Sequence, residues 1–113
     1  MNFKALRCAE NGDVILMAFE PMNFWARAKG LLGRKSLAPE HGMFFRNCKS
    51  IHMFGMRFPI DAIFLDASGR VLKVVHELQP WRCAASYRSS HVLEVAAGSA
   101  VRLGLLEGRR LVL

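Results

Sequence analysis

The longest apolar stretch of the chain that carries embedded polar residues spans residues 48–66. Its second half, residues 60–65, is apolar except for Asp61, and a short run of this kind predicts a buried β-strand. Pro59 fits the first position of that strand, where its missing N–H costs little. Gly55 and Pro59 interrupt the first half, which we interpret as a Met- and aromatic-rich approach to the strand.

Turn residues predict two hairpins. Asn11-Gly12 separates apolar segments at 2–9 and 14–20, and Asn-Gly favours a type I′ hairpin turn because both residues tolerate a positive φ. Residues 66–69 form a tight turn from the strand at 60–65 into a second strand. The remaining predicted strands are 43–46, 70–76, 92–95 and 110–113. Residues 77–90 have mixed polarity without periodicity and are interpreted as a long loop or cover.

One segment has the spacing of a helix. Asn23 can cap a helix over residues 24–32, where Trp25, Ala28 and Leu32 share one face and Gly33 can end it. Ser99 can cap a single further helical turn. Many short strands with one main helix predict a mainly β fold, namely a small closed or half-open β-barrel with the helix at about 24–32 packed against it.

Length and composition limit the class of protein. A chain of 113 residues, 52% of them hydrophobic, can bury its own core, so we expect a single domain over 1–113. No apolar run approaches the roughly 20 residues of a membrane span, and the run at 14–19 is too short for a signal peptide. We therefore expect a cytoplasmic protein without a transmembrane segment. Cys8, Cys48 and Cys83 are widely spaced, which argues against a disulfide framework.

The formal net charge of +7 is concentrated in one third of the chain. Between residues 22 and 57 there are seven Lys and Arg residues and one carboxylate, Glu40. The predicted basic surface comprises Arg27, Lys29, Arg34, Lys35, Arg46 and Lys49. Such a bias attracts an acidic partner or nucleic acid. A basic face that is simply solvated explains the same pattern.

Several segments together resemble one known family. They are residues 30–34 with Leu37, 42–45, 51–61 running into 63–66, 92–94 with Gly98, and 104–108. In this order they resemble the Domain of Unknown Function 192 family of bacteria and archaea. The resemblance implies a compact β-barrel with a helix against it and no established activity. Many members carry Trp-Met-Lys-Asn-Thr where this chain has residues 52–56, so a role of those Lys, Asn or Thr side chains does not carry over.

A candidate pocket lies at the centre of this region. His52, Arg57 and Asp61 would form its polar floor, and Met53 and Met56, together with neighbouring aromatic residues, would form apolar walls. A mostly apolar lining with a few convergent polar groups is typical of small-molecule sites. The other interpretation is structural, with Asp61 binding backbone N–H groups and fixing the bend before its strand.

These observations favour a non-enzymatic ligand- or partner-binding or accessory protein. The first alternative is a small enzyme or metal-binding protein that uses Cys48, His52 and Asp61. Because nothing marks an oxyanion hole and zinc needs three or four ligands, we predict no catalytic residue, metal site or cofactor. The second alternative is a nucleic-acid-associated protein that uses the basic region at 27–57. The sequence indicates neither a specific partner nor an oligomeric state.

Overall fold

Nine strands and one turn of helix are present in the computed structural model, which describes residues 3–21 and 37–113. The strands are β1 Phe3–Cys8, β2 Val14–Phe19, β3 His41–Arg46, β4 Ser50–His52, β5 Ile60–Leu65, β6 Val71–Leu78, β7 Cys83–Ala85, β8 His91–Ala96 and β9 Leu111–Val112. The helix, α1, spans Ser99–Arg102. The predicted mainly β class is confirmed. The helix predicted at 24–32 lies outside the described residues.

Seven of the strands form one sheet in the order β6-β5-β8-β3-β2-β1-β9, and β4 pairs with β7 in a separate two-stranded sheet. Neighbouring strands of the large sheet are antiparallel except for β2 and β3, which are parallel. The outer strands β6 and β9 are joined at one end by a single bridge between Arg70 and Arg110. They do not form a ladder, so the sheet is not closed and the predicted barrel is not confirmed.

The first predicted hairpin is confirmed, but its turn differs from the prediction. A type I′ turn needs a positive φ at both central residues. Gly12 has a φ of 78°, whereas Asn11 is not among the described residues with a positive φ. The loop is instead closed by hydrogen bonds from Gly12 N–H to the Cys8 carbonyl and from Cys8 N–H to the Asp13 carbonyl. The Asn11 side chain accepts a bond from Asp13 N–H, which stabilises this longer turn.

The second predicted hairpin, from β5 to β6, is confirmed with its turn at Asp66. The Asp66 carboxylate accepts bonds from the backbone N–H groups of Ser68 and Arg70 and from the Ser68 hydroxyl. The hydroxyl bond, with these backbone bonds, lowers the pKa of Asp66. Gly69 completes the turn with a φ of 91°, and its carbonyl accepts a bond from Leu111 N–H. This turn therefore bonds β9 to the β5–β6 hairpin, in addition to the pairing of β9 with β1.

Replacing Gly69 with Ala is expected to lower the free energy of unfolding by about 2 kcal/mol, which urea denaturation can measure. A Cβ atom at Gly69 would lie 2.1 Å from the Leu111 carbonyl oxygen, and φ is positive there. Gly108→Ala is the matched control, since Gly108 has the same φ of 91° but nothing within 4 Å of the added Cβ. Equal losses in the two variants would contradict the steric explanation and leave only the cost of the backbone conformation.

Both faces of the large sheet are covered. Side chains alternate along β5, so Ile63 and Leu65 point to one side while Ala62 and Phe64 point to the other. The first core cluster consists of Leu6, Leu16, Ala18, Phe44, Ile63, Leu65, Val71, Leu93, Val95, Ala100, Leu105 and Leu111. The second consists of Leu37, Met43, Phe45, Met53, Met56, Ile60, Ala62, Phe64, Leu78 and Val92. Burial on both faces explains why β5 is an almost unbroken apolar run.

Helix α1 packs against β5 and β8 near the first cluster. The prediction that Ser99 caps it is wrong: the capping position is held by Gly98, with a φ of 89° and no side-chain bond from the cap. No helix within residues 3–21 and 37–113 is long and apolar enough to cross a membrane.

Candidate functional site

The two-stranded sheet lies in two chain segments, 48–59 and 79–90, which together we call the ribbon. Ser50, Ile51 and His52 of β4 pair with Ala85, Ala84 and Cys83 of β7 in antiparallel register. The interpretation of residues 77–90 as a long loop or cover is therefore wrong for β7, which is a strand. A strand of three residues is too short to show a period in its sequence.

Hydrogen bonds fix the ribbon to itself and to the large sheet. Met53 N–H donates to the Arg82 carbonyl at 2.7 Å, and Trp81 N–H donates to the Met53 carbonyl at 2.8 Å. The Lys73 ammonium on β6 donates to the Ala85 carbonyl at 2.9 Å. Ser90 N–H donates to the Leu65 carbonyl at 2.7 Å, so the end of the ribbon is bonded to β5. The ribbon is held at several points by these bonds.

The inner side of the ribbon is part of the protein core. Met53 and Met56 belong to the second core cluster, with exposed fractions of 1% and 8%. Ile51, Phe58 and Ala84 pack against the same cluster. The two methionines that the sequence placed in pocket walls thus lie beneath the ribbon.

The outer side of the ribbon carries a row of aromatic rings. The rings of His52 and Phe54 have centroids 4.8 Å apart, and those of Phe54 and Trp81 are stacked with centroids 5.8 Å apart. Phe54 is 50% exposed, Trp81 67% and Tyr87 80%. These three are the largest exposed aromatic surfaces in the described part of the chain, and all belong to the ribbon.

The ribbon carries charge of only one sign. Its two segments contain Lys49, Arg57, Arg82 and Arg88 and no Asp or Glu. All four cationic residues are exposed. The Lys49 ammonium donates to the Tyr87 carbonyl at 3.2 Å, which connects the two segments at one end. An exposed surface with aromatic rings and unopposed positive charge suits an anionic ligand that also presents flat or apolar groups.

The predicted basic surface is only partly described. Arg46 lies on β3, where its guanidinium makes a bidentate pair with Glu20 at 3.0 and 3.1 Å. The hydrogen bond from Arg46 lowers the pKa of Glu20, and the Glu20 carboxylate offsets the positive charge of Arg46. Lys49 belongs to the ribbon. The other predicted members, Arg27, Lys29, Arg34 and Lys35, lie outside the described residues.

Asp61 is fully buried, and its carboxylate binds three backbone N–H groups. Oδ1 accepts from Glu77 at 2.9 Å, and Oδ2 accepts from Gly98 at 3.0 Å and from Ala100 at 2.9 Å. Two of these donors are at the start of α1, so a side chain from β5 supplies the cap that Ser99 does not. Glu77 has a φ of 50°, an uncommon value for a non-glycine residue. This geometry supports the structural interpretation of Asp61.

The residues of the predicted pocket floor do not share hydrogen bonds. His52 and Arg57 are exposed on the ribbon, whereas Asp61 is buried and bonded to the backbone. The only ion pair within the described ranges joins Glu20 and Arg46, so Arg57 does not pair with Asp61 there. Of the residues predicted for the pocket, His52 and Arg57 are therefore exposed, and Met53 and Met56 belong to the core. Asp61 is buried and bonded to the backbone.

Cys48, the candidate nucleophile, is half-buried and its Sγ donates to the Ser50 carbonyl at 3.1 Å. The His52 ring lies tilted against the Phe54 ring, and His52 has no hydrogen bond to Cys48. His91 accepts a bond on Nδ1 from Asn47 N–H, and burial lowers its pKa. No group of three or more His, Cys, Asp and Glu residues that could hold a metal ion occurs within 3–21 and 37–113.

A second buried carboxyl was not identified from the sequence as a site residue. Glu94 lies on the central strand β8, paired with Met43 on one side and Ala62 on the other. It is 7% exposed, and its carboxyl makes no hydrogen bond to a residue within 3–21 and 37–113. Burial raises its pKa to about 8, so Glu94 is protonated at neutral pH. Its neighbours Met43 and Ala62 belong to the second core cluster, the one that the ribbon covers.

Glu94 and Trp81 were not predicted as site residues, although each had a signal in the sequence. Glu94 is a lone carboxyl within an apolar strand, which is the same pattern that drew attention to Asp61. Trp81 is a large aromatic residue between Pro80 and Arg82, inside a segment interpreted as a loop. Neither pattern by itself separates a core residue from a functional one.

Comparisons with known proteins agree with the fold and give no activity. The sequence model of DUF192, described as "Uncharacterized ACR", matches residues 12–113. The fold is similar to that of a proposed transcription regulator from Sinorhizobium meliloti 1021, with 26% identity, a TM-score of 0.81, and coverage of 98% of this chain and 95% of that one. It is also similar to a protein of unknown function from Novosphingobium aromaticivorans DSM 12444, with 25% identity, a TM-score of 0.78, and coverage of 96% and 84%. No curated protein matches significantly.

Proposed function

The chain belongs to the DUF192 family of uncharacterised proteins, and we propose that it is a non-enzymatic binding protein whose binding surface is the outer side of the ribbon. One observation carries the proposal: the exposed aromatic row of His52, Phe54 and Trp81 lies on segments that hold four cations and no carboxylate. Contiguous exposed aromatic surface on a soluble protein commonly marks an interaction site.

The conformation of Trp81 supports a binding role. Its φ is 69°, and a positive φ in a bulky residue is an outlier that costs of the order of 1–3 kcal/mol. The backbone bond from Trp81 to Met53 holds the residue in this conformation while its ring stays two-thirds exposed. A residue whose only role was to make a turn would not need a large aromatic side chain there.

Three further features fit this proposal. The similar protein from Sinorhizobium meliloti is described as a proposed transcription regulator, which fits a binding role for this chain. The three cysteines of the chain are all free, as expected in a reducing compartment such as the cytoplasm. The bridge between Arg70 and Arg110 at the outer strands supports a half-open barrel, which would give the ribbon a rigid support.

We expect anionic ligands to perturb the ribbon before any other part of the protein. The test is a heteronuclear NMR titration with heparin, polyglutamate and a short oligonucleotide, in which the largest amide shift changes should fall within 48–59 and 79–90. A triple variant, Lys49→Gln, Arg82→Gln and Arg88→Gln, should bind the best of these at least about 10-fold more weakly at low salt, because each lost contact removes an attractive charge.

The matched control removes the same charge elsewhere. Lys4→Gln, Arg70→Gln and Arg110→Gln are three exposed substitutions outside the ribbon, so this variant has the same net charge as the ribbon variant. It should keep most of the affinity. Equal losses in the two triple variants, or shift changes concentrated outside the ribbon, would show that binding follows net charge and would contradict the proposed surface.

A further inference from the structure

The cationic residues of the ribbon are spread along its length. Lys49 faces Ser86 at one end of the paired region, where Ser86 N–H donates to the Lys49 carbonyl, and Arg82 faces Met53 at the other. Four residues of extended chain separate these ends, which corresponds to about 13 Å. Successive phosphates of one nucleic-acid strand are roughly 3.4 Å apart along a helix axis. A ligand that contacts both ends therefore carries negative charges about 13 Å apart, a distance that a nucleic-acid strand spans with a few phosphates.

The aromatic row indicates which chemical groups of the ligand lie between its negative charges. Trp81 and Phe54 are stacked on each other, and Trp81 keeps two-thirds of its surface open to solvent. A nucleobase stacks on such a ring with little sequence preference, and only an unpaired base has both faces available. The base faces of a duplex are covered by neighbouring base pairs. Heparin and polyglutamate, the other anionic probes, contain no aromatic rings that could stack on Trp81.

We infer that the ribbon binds single-stranded nucleic acid, with bases stacking on the row of Trp81, Phe54 and His52 and phosphates contacting Lys49, Arg57, Arg82 and Arg88. The inference rests on the proposed function and adds the class of ligand. The site differs from the basic region predicted from the sequence, since two of its cations and its most exposed stacked ring come from segment 79–90. The backbone outlier at Trp81 places the ring at the surface of the ribbon.

The test is fluorescence anisotropy of a labelled 15-mer of oligothymidylate with the full chain, with a 15-mer of oligouridylate in parallel to compare DNA and RNA. We expect binding to either single strand to be at least 10-fold tighter than to a 15-bp duplex. The logarithm of the binding constant should fall with the logarithm of salt concentration with a slope of about −3, for four phosphate contacts at roughly −0.7 each. Tryptophan fluorescence should be quenched when the bases stack.

Two variants separate stacking from charge. Trp81→Ala should weaken binding by about 10-fold or more at every salt concentration and should remove the quenching. Arg82→Gln should reduce the salt slope by about 0.7 and leave the quenching in place. Leu106→Ala and Arg110→Gln, at exposed positions outside the ribbon, are the respective controls and should leave binding within about 2-fold. Since Arg82 is exposed, its variant remains informative if Trp81→Ala fails to fold.

The outcomes distinguish this inference from the proposed function. If heparin or polyglutamate binds the ribbon as tightly as oligothymidylate and Trp81→Ala has no effect, the ribbon is an anion-binding surface and the nucleic-acid inference is wrong. If duplex binds as tightly as single strand, stacking is not used and the inference is wrong as well. If no anionic probe binds, or binding is unchanged in both Trp81→Ala and Arg82→Gln, the proposed function falls too.

Discussion

Replacing Asp61 with Ala is expected to lower the free energy of unfolding by about 4 kcal/mol, the largest effect of any substitution considered for this protein. The change leaves three backbone N–H groups, those of Glu77, Gly98 and Ala100, without their acceptor. Each unsatisfied buried donor costs roughly 1–3 kcal/mol, and partial relaxation at α1 would recover some of that sum. Urea unfolding followed by circular dichroism measures the loss directly.

Asp61→Asn refines this prediction. The amide keeps one oxygen acceptor but directs its NH₂ group at N–H donors on the other side, so we expect a loss of about 2 kcal/mol. Asp66→Asn is the control, because Asp66 also binds backbone N–H groups but lies at a more exposed turn. It should cost well under half as much. An Asp61→Asn protein of normal stability would refute the structural role and restore Asp61 as a candidate ligand-binding group.

The second large effect concerns Glu94 and depends on pH. The folded protein raises the pKa of this carboxyl from 4.5 to about 8 because it is buried. Between these two values the unfolded chain has lost the proton while the folded chain retains it, so rising pH favours unfolding by up to about 1.4 kcal/mol per pH unit. Below pH 4.5 both states are protonated and the penalty vanishes. At pH 7 it amounts to roughly 3 kcal/mol.

Glu94→Gln removes the ionisation while keeping the shape of the side chain. We expect the variant to be close to the wild type in stability at pH 5 and more stable by about 3 kcal/mol at pH 7. Urea unfolding at half-unit steps from pH 4.5 to 8 gives the whole curve. Glu107→Gln, the same change at an exposed carboxyl, controls for the loss of one negative charge. Parallel curves for the Glu94 variant and the wild type would show that Glu94 ionises normally in the folded protein.

These two carboxyl groups show how neighbouring strands use similar residues differently. Asp61 on β5 and Glu94 on β8 are each a lone acid in an apolar strand. Asp61 has its neighbours Ile63 and Leu65 in the first core cluster and reaches the start of α1. Glu94 lies between Met43 and Ala62, and no described residue bonds to its carboxyl. The strand pattern reveals that an acid is buried, but only the tertiary structure decides which groups its carboxyl contacts.

Local patterns in the sequence determined the strand at 60–65, the two hairpins and the mainly β class. Each depends on neighbours along the chain: turn residues restrict φ and ψ within a few positions, and an unbroken apolar run indicates burial on both faces of a strand. The family was likewise predictable, because its motifs occur in order along residues 30–108. Of the predicted site residues, His52 and Arg57 lie on the surface that we propose for binding.

Only the tertiary structure decided the rest, because the interactions join residues far apart in the chain. The donors to Asp61 are 16, 37 and 39 residues away, and β4 pairs with a strand more than 30 residues further on. The contact between the rings of Trp81 and Phe54 depends on the pairing of β4 with β7. The same pairing brings together the two ribbon segments, which contain no Asp or Glu. Neither the hydrophobic period of a segment nor its turn residues specify these long-range contacts, because the contacts form only when distant segments pack against the same core.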